Sequence, residues 1–503
     1  MAQHQCLPVT NRKSLRNRAV NQVKKMGIRR REFITMGALG TLGAFALKSC
    51  GNSSIPNTPA NNETPTQVFR SENGLLEIDL TAQYSDLVLA EQPFPQMMTY
   101  NGQIPAPRLE VNAGDRLIIH FKNDLDQATN LHFHGLHLSP DQDNVFLKIA
   151  PGQSHTYELD IHPQQRAGTH WYHPHLHGSV AEQLFRGLAG IIVVRGALDE
   201  IPEIAVAQEE FFLLQDFASP DANSRHMNLM AGREGSLRLV NGSYHPSIEV
   251  TEDLLRLRLV NASPSRFYHL EIKGQKLVQI SNDGGALSQP IEIDKLLLTP
   301  GQRAELLIHT ADLPDIPIHL LNLPYKRTQM GMMGNQTPQT IEAIADFKRA
   351  AKDFDVVYLP ETLQPIEQLP EPQQTRQFTL NHGMVKGQGM AFLINGESYS
   401  GAVQTEVTLD TVEDWEIKNM GTMDHPFHIH TNKFQIISRN GIPEEMIVWH
   451  DTVLVKVGET IKIRMKFEHF TGETVYHCHI LDHEDLGMMG KLKISAPTAA
   501  IFG

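Results

Sequence analysis

The chain has few cysteines, no apolar run long enough to cross a membrane and no excess of positive charge. Its 503 residues include only Cys6, Cys50 and Cys478, which excludes a fold held together by several disulfides. Asp and Glu outnumber Lys and Arg by 57 to 44, and the formal net charge is −13. Because nucleic acid and anionic membranes repel an acidic protein, we expect neither as a partner.

The first 49 residues are predicted to be an export signal and not part of the fold. Arg29-Arg30-Arg31 precede Phe33 and a mildly apolar run ending at Leu47, which resembles a twin-arginine signal. The apolar run of about 15 residues is shorter than the roughly 20 that a membrane span needs, although an anchor helix is the alternative interpretation. The long basic region makes Met26 an alternative start.

Residues 50–66 are predicted to be a flexible tether, because they are rich in Pro, Asn and Thr. Leu47-Lys48-Ser49-Cys50 resembles a bacterial lipobox, with Lys48 atypical, so lipidation of Cys50 and simple cleavage are both open. Either outcome predicts an exported protein of the periplasm or cell envelope, with Cys50 as its only possible attachment to a membrane. Cys478 then remains as a single thiol in an oxidising compartment, which predicts a role for it.

A pattern of turns and strands occurs three times after the tether. The copies begin at Asn101-Gly102, Asn241-Gly242 and Asn395-Gly396, and each continues into segments of alternating apolar and polar residues. Short alternating segments separated by turns predict antiparallel sandwiches. We therefore predict an all-β chain of three consecutive Greek-key β-sandwich domains, at 67–197, 198–370 and 371–503. Within the second, residues 341–352 are predicted to form a short helix.

The 25 histidines concentrate in the first and third of these domains. His-x-His pairs occur at His132/His134, His173/His175, His428/His430 and His477/His479. On a strand, residues i and i+2 point to the same side, so each pair presents two imidazoles together. Imidazole binds copper, zinc, iron and nickel, and four such pairs favour metal sites over chance.

The segment around Cys478 predicts which metal. Cys478 points away from the face shared by its two flanking histidines, so one strand can serve two metal sites. One thiolate, two histidines and a weak thioether form the ligand set of blue copper, for which His425, His483 and Met488 are the candidates. A zinc site favours further thiolates or a carboxylate.

These motifs are similar in order and content to those of multicopper oxidases, the family of laccases, ascorbate oxidases and bacterial cuprous oxidases. The resemblance covers nearly all of the chain after the tether and implies three cupredoxin domains with four copper ions. It implies a type 1 copper on His425, Cys478, His483 and Met488, and a type 2 copper on His132 and His428. It implies a type 3 pair on the remaining histidines, His134, His173, His175, His430, His477 and His479.

The resemblance also implies the chemistry. A small donor, Cu(I) or a phenolic compound, would give single electrons to the type 1 copper, and Cys478 would pass them to a cluster that reduces dioxygen to water. Asp143 and Glu484 lie where the family has carboxylates that relay protons, ordinary loop acids being the alternative. The alternatives for the whole chain are a non-catalytic scaffold of this fold and a copper-binding or copper-tolerance protein. A monomer is expected.

Other side chains have less specific expectations. His137, His155, His162, His170 and His177 are expected at the surface or beside the ligands. Met330, Met332 and Met333, with Met384 and Met390, are candidates for Cu(I) binding or for simple loop packing. Met423 and Asp424 are candidates to touch a donor.

Overall fold

The computed structural model describes residues 60–61, 66–218, 230–283, 285–310, 317–327, 340–352 and 355–497. The predicted export signal, Cys50 and the methionines at 330, 332 and 333 lie outside these residues. Within the described residues, no helix is both long enough and apolar enough to cross a membrane.

Region 1, residues 60–195, has two sheets that share one hydrophobic core. The sheet orders are β1-β3-β6-β8, with β4 on β3, and β2-β5-β10-β9-β7. Leu80 and Phe121 from the first sheet, and Leu109 and Ile192 from the second, are fully buried in that core. The elements are β1 (Ala60–Asn61), β2 (Val68–Arg70), β3 (Leu75–Leu89), β4 (Gln92–Tyr100), β5 (Arg108–Asn112), β6 (Arg116–Asn123), β7 (His132–His134), β8 (Ser154–Asp160), β9 (Gly168–His173), α1 (Val180–Phe185) and β10 (Gly190–Arg195).

Region 2, residues 202–349, repeats this plan. Its sheets run β12-β11-β14-β19-β16-β17 and β13-β21-β20-β15-β18, around a second core. The elements are α2 (Pro202–Ala205), β11 (Gln208–Phe217), β12 (Leu237–Val240), β13 (Ser247–Val250), β14 (Leu254–Asn261), β15 (Tyr268–Ile272), β16 (Leu277–Asn282), β17 (Gly285–Ile293), β18 (Leu296–Leu298), β19 (Arg303–His309), β20 (Ile318–Asn322) and β21 (Glu342–Arg349).

Region 3, residues 374–495, repeats it again. Its sheets run β23-β22-β25-β31-β27-β28, with β29 on β27, and β24-β33-β32-β26-β30. The elements are β22 (Gln374–Val385), β23 (Gly389–Ile394), β24 (Val403–Thr408), β25 (Thr411–Asn419), β26 (His425–Ile429), β27 (Phe434–Arg439), β28 (Ile442–Pro443), β29 (Trp449–His450), β30 (Thr452–Val455), β31 (Thr460–Phe467), β32 (Gly472–Cys478), α3 (Leu481–Asp485) and β33 (Met489–Ser495).

The three Asn-Gly turns have the same structure in all three regions. Asn101, Asn241 and Asn395 have φ of 54°, 51° and 54°, and the glycines that follow them have φ of 77°, 76° and 79°. Two successive positive φ angles are those that Asn-Gly accommodates in a tight turn. Each Asn side chain accepts a backbone N–H of a neighbouring strand, at 2.7 to 2.9 Å. The Asn-Gly repeat in the sequence therefore corresponds to the same turn in each region, and in each region this turn is hydrogen-bonded to a neighbouring strand.

The predicted all-β class is confirmed, and the predicted helix at 341–352 is wrong. Residues Glu342–Arg349 form β21, which pairs antiparallel with β20 and parallel with β13. Ile344, Ala345 and Phe347 are buried in the core of region 2. Pairing on both edges and this burial outweigh the helix preference of the Ala, Glu and Lys residues in the segment.

The regions meet around a smaller apolar cluster beside the histidines. Trp171 of β9, Leu213 of β11, Val260 of β14 and Leu481 of α3 are buried together in it. This cluster thus connects β9, which carries His173, with α3, which carries His483.

Candidate metal centre

Two strand pairs bring the four histidine motifs together. β7 and β9 pair with His132 opposite His173, and β26 and β32 pair with His428 opposite His477. The first pair belongs to region 1 and the second to region 3, so the site is assembled between the regions. Every predicted site residue is at least 95% buried: His132, His134, Asp143, His173, His175, His425, His428, His430, His477, Cys478, His479, His483, Glu484 and Met488.

Cys478 lies among the partners predicted for it. Its Sγ is 3.5 Å from Nδ1 of His425 and 3.7 Å from Nδ1 of His483, and those two nitrogens are 3.2 Å apart. Met488 is fully buried in the hydrophobic core of region 3, which also contains Cys478. The Met488 carbonyl accepts the Cys478 N–H. The Phe392 ring stacks on His483 at 3.8 Å between centroids and closes this group on one side.

The other eight histidines divide into three groups. One contains His134, His173 and His479, and a second contains His175, His430 and His477. His132 and His428 form the third, with His134 beside them. In the second group, Nε2 of His477 faces Nε2 of His175 at 3.2 Å and Nε2 of His430 at 3.1 Å. The six histidines expected at one binuclear centre thus separate into two sets of three.

Several of these nitrogens are buried without a hydrogen-bond partner. They include Nε2 of His132, His173 and His428 and both ring nitrogens of His479. Buried polar atoms are almost always paired, so unpaired nitrogens that converge in this way fit a bound cation. Burial lowers the pKa of these four imidazoles, with further lowering from histidine neighbours, which keeps their lone pairs free. A set of imidazoles with a single thiol suits copper.

Asp143 and Glu484 lie close to different histidines of the site. Asp143 Oδ2 lies 2.8 Å from Nδ1 of His132, and Oδ1 accepts the Phe133 N–H. Glu484 Oε2 lies 3.1 Å from Nδ1 of His477. Burial raises the pKa of Asp143 to about 7. Burial opposes ionisation of Glu484 too, but attraction by His175 and His477 outweighs it and lowers the pKa to about 2.

A further buried carboxylate at the site, Asp451, is missing from the residues that the sequence predicted. Arg303 donates to both of its oxygens, at 2.8 and 2.6 Å. Its Oδ1 is 3.2 Å from Nε2 of His134, and its carbonyl accepts from Nδ1 of His428 at 2.8 Å. Local sequence gives no signal for this role, because the pair joins side chains 148 residues apart, from regions 2 and 3.

The glycine of the first histidine motif is required by the same arrangement. Gly135 has φ of 88°, and a Cβ on it would lie 2.2 Å from the Arg303 guanidinium and 2.9 Å from Asp451. A side chain at this position would displace the ion pair that supports His134.

The surroundings of His483 limit where a donor can approach. Nε2 of His483 donates to the Met230 carbonyl at 3.0 Å, so this nitrogen is already bonded to a protein group. Asp424 is 2% exposed and accepts the Val457 N–H, which makes it inaccessible to a donor, and Met423 is half-buried. Met384 and Met390 face each other across β22 and β23 and are 76% and 41% exposed.

Comparison with known proteins agrees with this geometry. Family models described as multicopper oxidase match residues 81–198, 213–316 and 369–497. The multicopper oxidase mco of Staphylococcus haemolyticus is 28% identical over 444 residues, covering 85% of this chain and 90% of that protein. A multicopper oxidase of Campylobacter jejuni, described as a metallo-oxidase, has a similar structure with a TM-score of 0.76. It is 33% identical, over 86% of this chain and 94% of that one.

A laccase-like multicopper oxidase of the lignin-degrading bacterium Ochrobactrum sp. is similar as well. Its TM-score is 0.75 at 25% identity, over 86% of this chain and 99% of that one. The matched models span all three regions, and the matched structures share their cupredoxin fold. The chain belongs to the multicopper oxidase family and is a copper-dependent oxidoreductase.

Proposed function

We propose that the protein oxidises a small donor one electron at a time and reduces dioxygen to water with four electrons. His425, Cys478, His483 and Met488 would hold a type 1 copper, and His132 and His428 a type 2 copper. The two sets of three, His134/His173/His479 and His175/His430/His477, would hold the type 3 pair. Bound copper would supply the one-electron acceptor and the site of oxygen reduction, for four ions in all.

The position of Cys478 carries the proposal. Its thiol is turned toward His425 and His483, while its covalent neighbours His477 and His479 belong to the two other sets. One short peptide therefore joins the donor side to the oxygen side. Burial raises the pKa of the thiol, and a bound cation would favour the thiolate in its place.

Asp143 and Glu484 supply different proton chemistry. Reduction of one dioxygen to two waters consumes four protons along with the four electrons. With a pKa near neutrality, Asp143 can hold a proton beside His132 and release it. Glu484 stays anionic and holds its negative charge 3.1 Å from Nδ1 of His477, which donates to the Cys478 carbonyl at 3.0 Å. The two carboxylates thus differ in their proton chemistry beside the oxygen site.

The donor is proposed to be Cu(I) or a phenolic compound. The Campylobacter jejuni relative is described as a metallo-oxidase, and the Ochrobactrum relative as acting on lignin model compounds and lignosulfonate. In this chain, an electron would enter at His483 by way of Met230, whose carbonyl is bonded to the imidazole.

Oxygen uptake by the copper-loaded protein, with Cu(I) and a simple phenol supplied in parallel, tests the function. Faster uptake with Cu(I) identifies a metallo-oxidase, and faster uptake with the phenol identifies a laccase. Cys478→Ser should abolish uptake with both donors and remove the blue colour. Absence of uptake by fully copper-loaded wild type would overturn the proposal and favour a non-catalytic scaffold.

We further propose that the chain is exported by residues 1–49, with 50–66 as tether and Cys50 as a possible lipid site. The domains are proposed at 67–197, 198–370 and 371–503, in a monomer. Mass spectrometry of the N-terminus of the exported protein tests the cleavage site and any lipid on Cys50.

A further inference from the structure

Three histidines outside the proposed copper sites form a cluster between regions 1 and 3. His137 follows β7, His162 follows β8, and His469 lies between β31 and β32. The ring centroids of His137 lie 5.1 Å from His469 and 5.2 Å from His162, and the His162 and His469 rings are 4.2 Å apart. From sequence, His137 and His162 are expected only at the surface or beside the ligands, and nothing is predicted for His469.

The hydrogen bond of His137 fixes which of its nitrogens carries the lone pair. Nδ1 lies 2.7 Å from the carbonyl of Thr431, and a carbonyl only accepts, so Nδ1 donates. In the neutral ring, Nε2 therefore carries the lone pair. That atom faces Nδ1 of His469 at 2.9 Å. Burial lowers the pKa of His137 to about 4, so the ring is neutral at pH 7.

The proposed copper ligands show the same two features, an Nδ1 that donates to a backbone carbonyl and imidazole nitrogens that face each other. His428 and His173 donate through Nδ1 to backbone carbonyls, at 2.8 and 2.9 Å. Metal-binding histidines commonly donate their second nitrogen in this way, which holds the ring toward the cation. Facing imidazole nitrogens about 3 Å apart occur in both kinds of proposed copper site, in the pairs His430/His477 (3.1 Å) and His425/His483 (3.2 Å).

A second surface histidine cluster lacks these features. Nε2 of His245 and Nδ1 of His319 both contact one oxygen of Asp346, at 2.7 and 2.5 Å. Two donors on one carboxylate form ordinary hydrogen bonds, and no lone pairs converge there. This cluster therefore serves as an internal comparison for the first.

Glu468 supplies negative charge to the cluster. Glu468 directly precedes His469 in the chain, and its attraction opposes the fall in the pKa of both His137 and His162. It also pairs with Lys466 at 2.6 Å. Nδ1 of His162 accepts the Gln164 N–H over 3.2 Å, a long bond that ligation through Nε2 would give up.

We propose that His137, His162 and His469, with Glu468 beside them, bind one divalent cation of the zinc and copper class. Imidazole and carboxylate ligands suit such cations, and three histidines with one further ligand form a tetrahedral set. The bound cation would join region 1 to region 3. It would also hold His137 against Thr431, the residue after His430, and so brace that part of the oxygen site.

Calorimetric titration of the copper-loaded protein with Zn²⁺ at about pH 7.5, where imidazoles are neutral, tests the site. Wild type should bind one Zn²⁺ per chain with unchanged copper content. His469→Gln and His162→Gln should each weaken binding by at least about 10- to 100-fold, the loss already typical for partners behind a ligand. Both side chains lie at least partly at the surface, so the blue absorption and the melting midpoint without zinc should stay at wild-type values.

His155→Gln and His319→Gln are the matched controls. His155 is exposed on β8 outside the cluster, and His319 belongs to the Asp346 cluster. Both variants should bind Zn²⁺ as wild type does. The proposal is overturned if wild type binds no zinc, if His469→Gln binds it with wild-type affinity, or if His319→Gln is the variant that loses it.

Discussion

Two buried carboxylates beside the oxygen site differ in charge at neutral pH. Asp143 has a raised pKa because burial outweighs the opposing effect of the hydrogen bond from the Phe133 N–H. Glu484 is buried too, but two histidine neighbours lower its pKa. A group that titrates near pH 7 can release and regain protons during turnover, whereas an anion serves to orient its partner.

Asp143→Asn should therefore slow oxygen reduction and leave the type 1 site intact. The amide retains the shape but holds no exchangeable acid proton, and loss of general acid catalysis typically costs about 10²- to 10⁴-fold in rate. Oxygen uptake measures the rate, and the blue absorption reports on Cys478. The part of the pH–rate profile that depends on a group with a pKa near 7 should disappear.

Glu484→Gln should also slow oxygen reduction with the blue absorption retained. The rate of oxygen uptake should fall, but the titration near pH 7 should remain in the pH–rate profile, because Glu484 is ionised throughout that range. Bleaching of the blue band in either variant would mean that the carboxylate supports the fold of the site and not its proton chemistry.

Asp451→Asn should reduce the copper content of the histidine groups. The Asp451 carboxylate orients His134, and loss of such a partner commonly weakens metal binding by about 10- to 100-fold. The blue absorption should remain, because Cys478 does not contact Asp451. Copper-to-protein ratios, measured after dialysis against a chelator, give the result.

Asp414→Asn is the matched control for that variant. Asp414 is 3% exposed and accepts two bonds from Arg464, as Asp451 does from Arg303, but in an ion pair outside the histidine groups. Both variants weaken a buried ion pair, so both should have a lower melting midpoint than wild type. Equal copper loss in the two would show that Asp451 acts through general stability alone.

At the scale of strands, a buried ion network joins regions 1 and 2. Glu305 of β19 accepts from Arg256 and Arg258 of β14 and from Thr169 of β9. Glu305 and Arg258 are 1% and 0% exposed. Removal of one partner from a buried pair leaves an uncompensated charge, which costs about 3–5 kcal/mol.

Glu305→Gln should lower the thermal midpoint. The cost should fall near the lower end of that range, because Asp199 and Glu209 still face the two arginines. Glu406→Gln is the control, since its pair with Lys493 is largely exposed and such pairs contribute little to stability. Differential scanning calorimetry measures both, and equal midpoints for the two variants would contradict the role of the network.

The strands and histidine motifs could be predicted from sequence because their signals are local. Alternation, Asn-Gly turns and i, i+2 histidines each lie within a few residues. The helix predicted at 341–352 is wrong because the state of this segment depends on pairing with β13, which lies far away in sequence. Asp451 and the His137 cluster were missed for the same reason, since their partners come from other regions.

At the scale of the whole molecule, the buried histidines should make stability depend on pH. Burial lowers the pKa of most of the proposed ligand histidines below 6.5. Without metal, an unfolded chain binds protons near pH 6.5 and the folded chain does not. The copper-free form therefore becomes less stable as pH falls below 6.5. Above pH 6.5 these histidines cost it no stability.

The fall from 6.5 to about 4 for His175 alone corresponds to about 3 kcal/mol. With copper bound, the folded state still binds no protons at these imidazoles while the unfolded chain does, so the holoprotein should lose stability over the same range. Thermal midpoints of both forms at pH 7.5 and pH 5 test this. Both forms should melt at lower temperature at pH 5, and the copper-free form should melt below the copper-loaded form at both values, by a gap that does not widen at pH 5. A copper-free form whose midpoint does not fall between pH 7.5 and pH 5 would mean that these imidazoles are already solvated or paired when copper is absent, and the converging lone pairs would then lose their meaning as a metal centre.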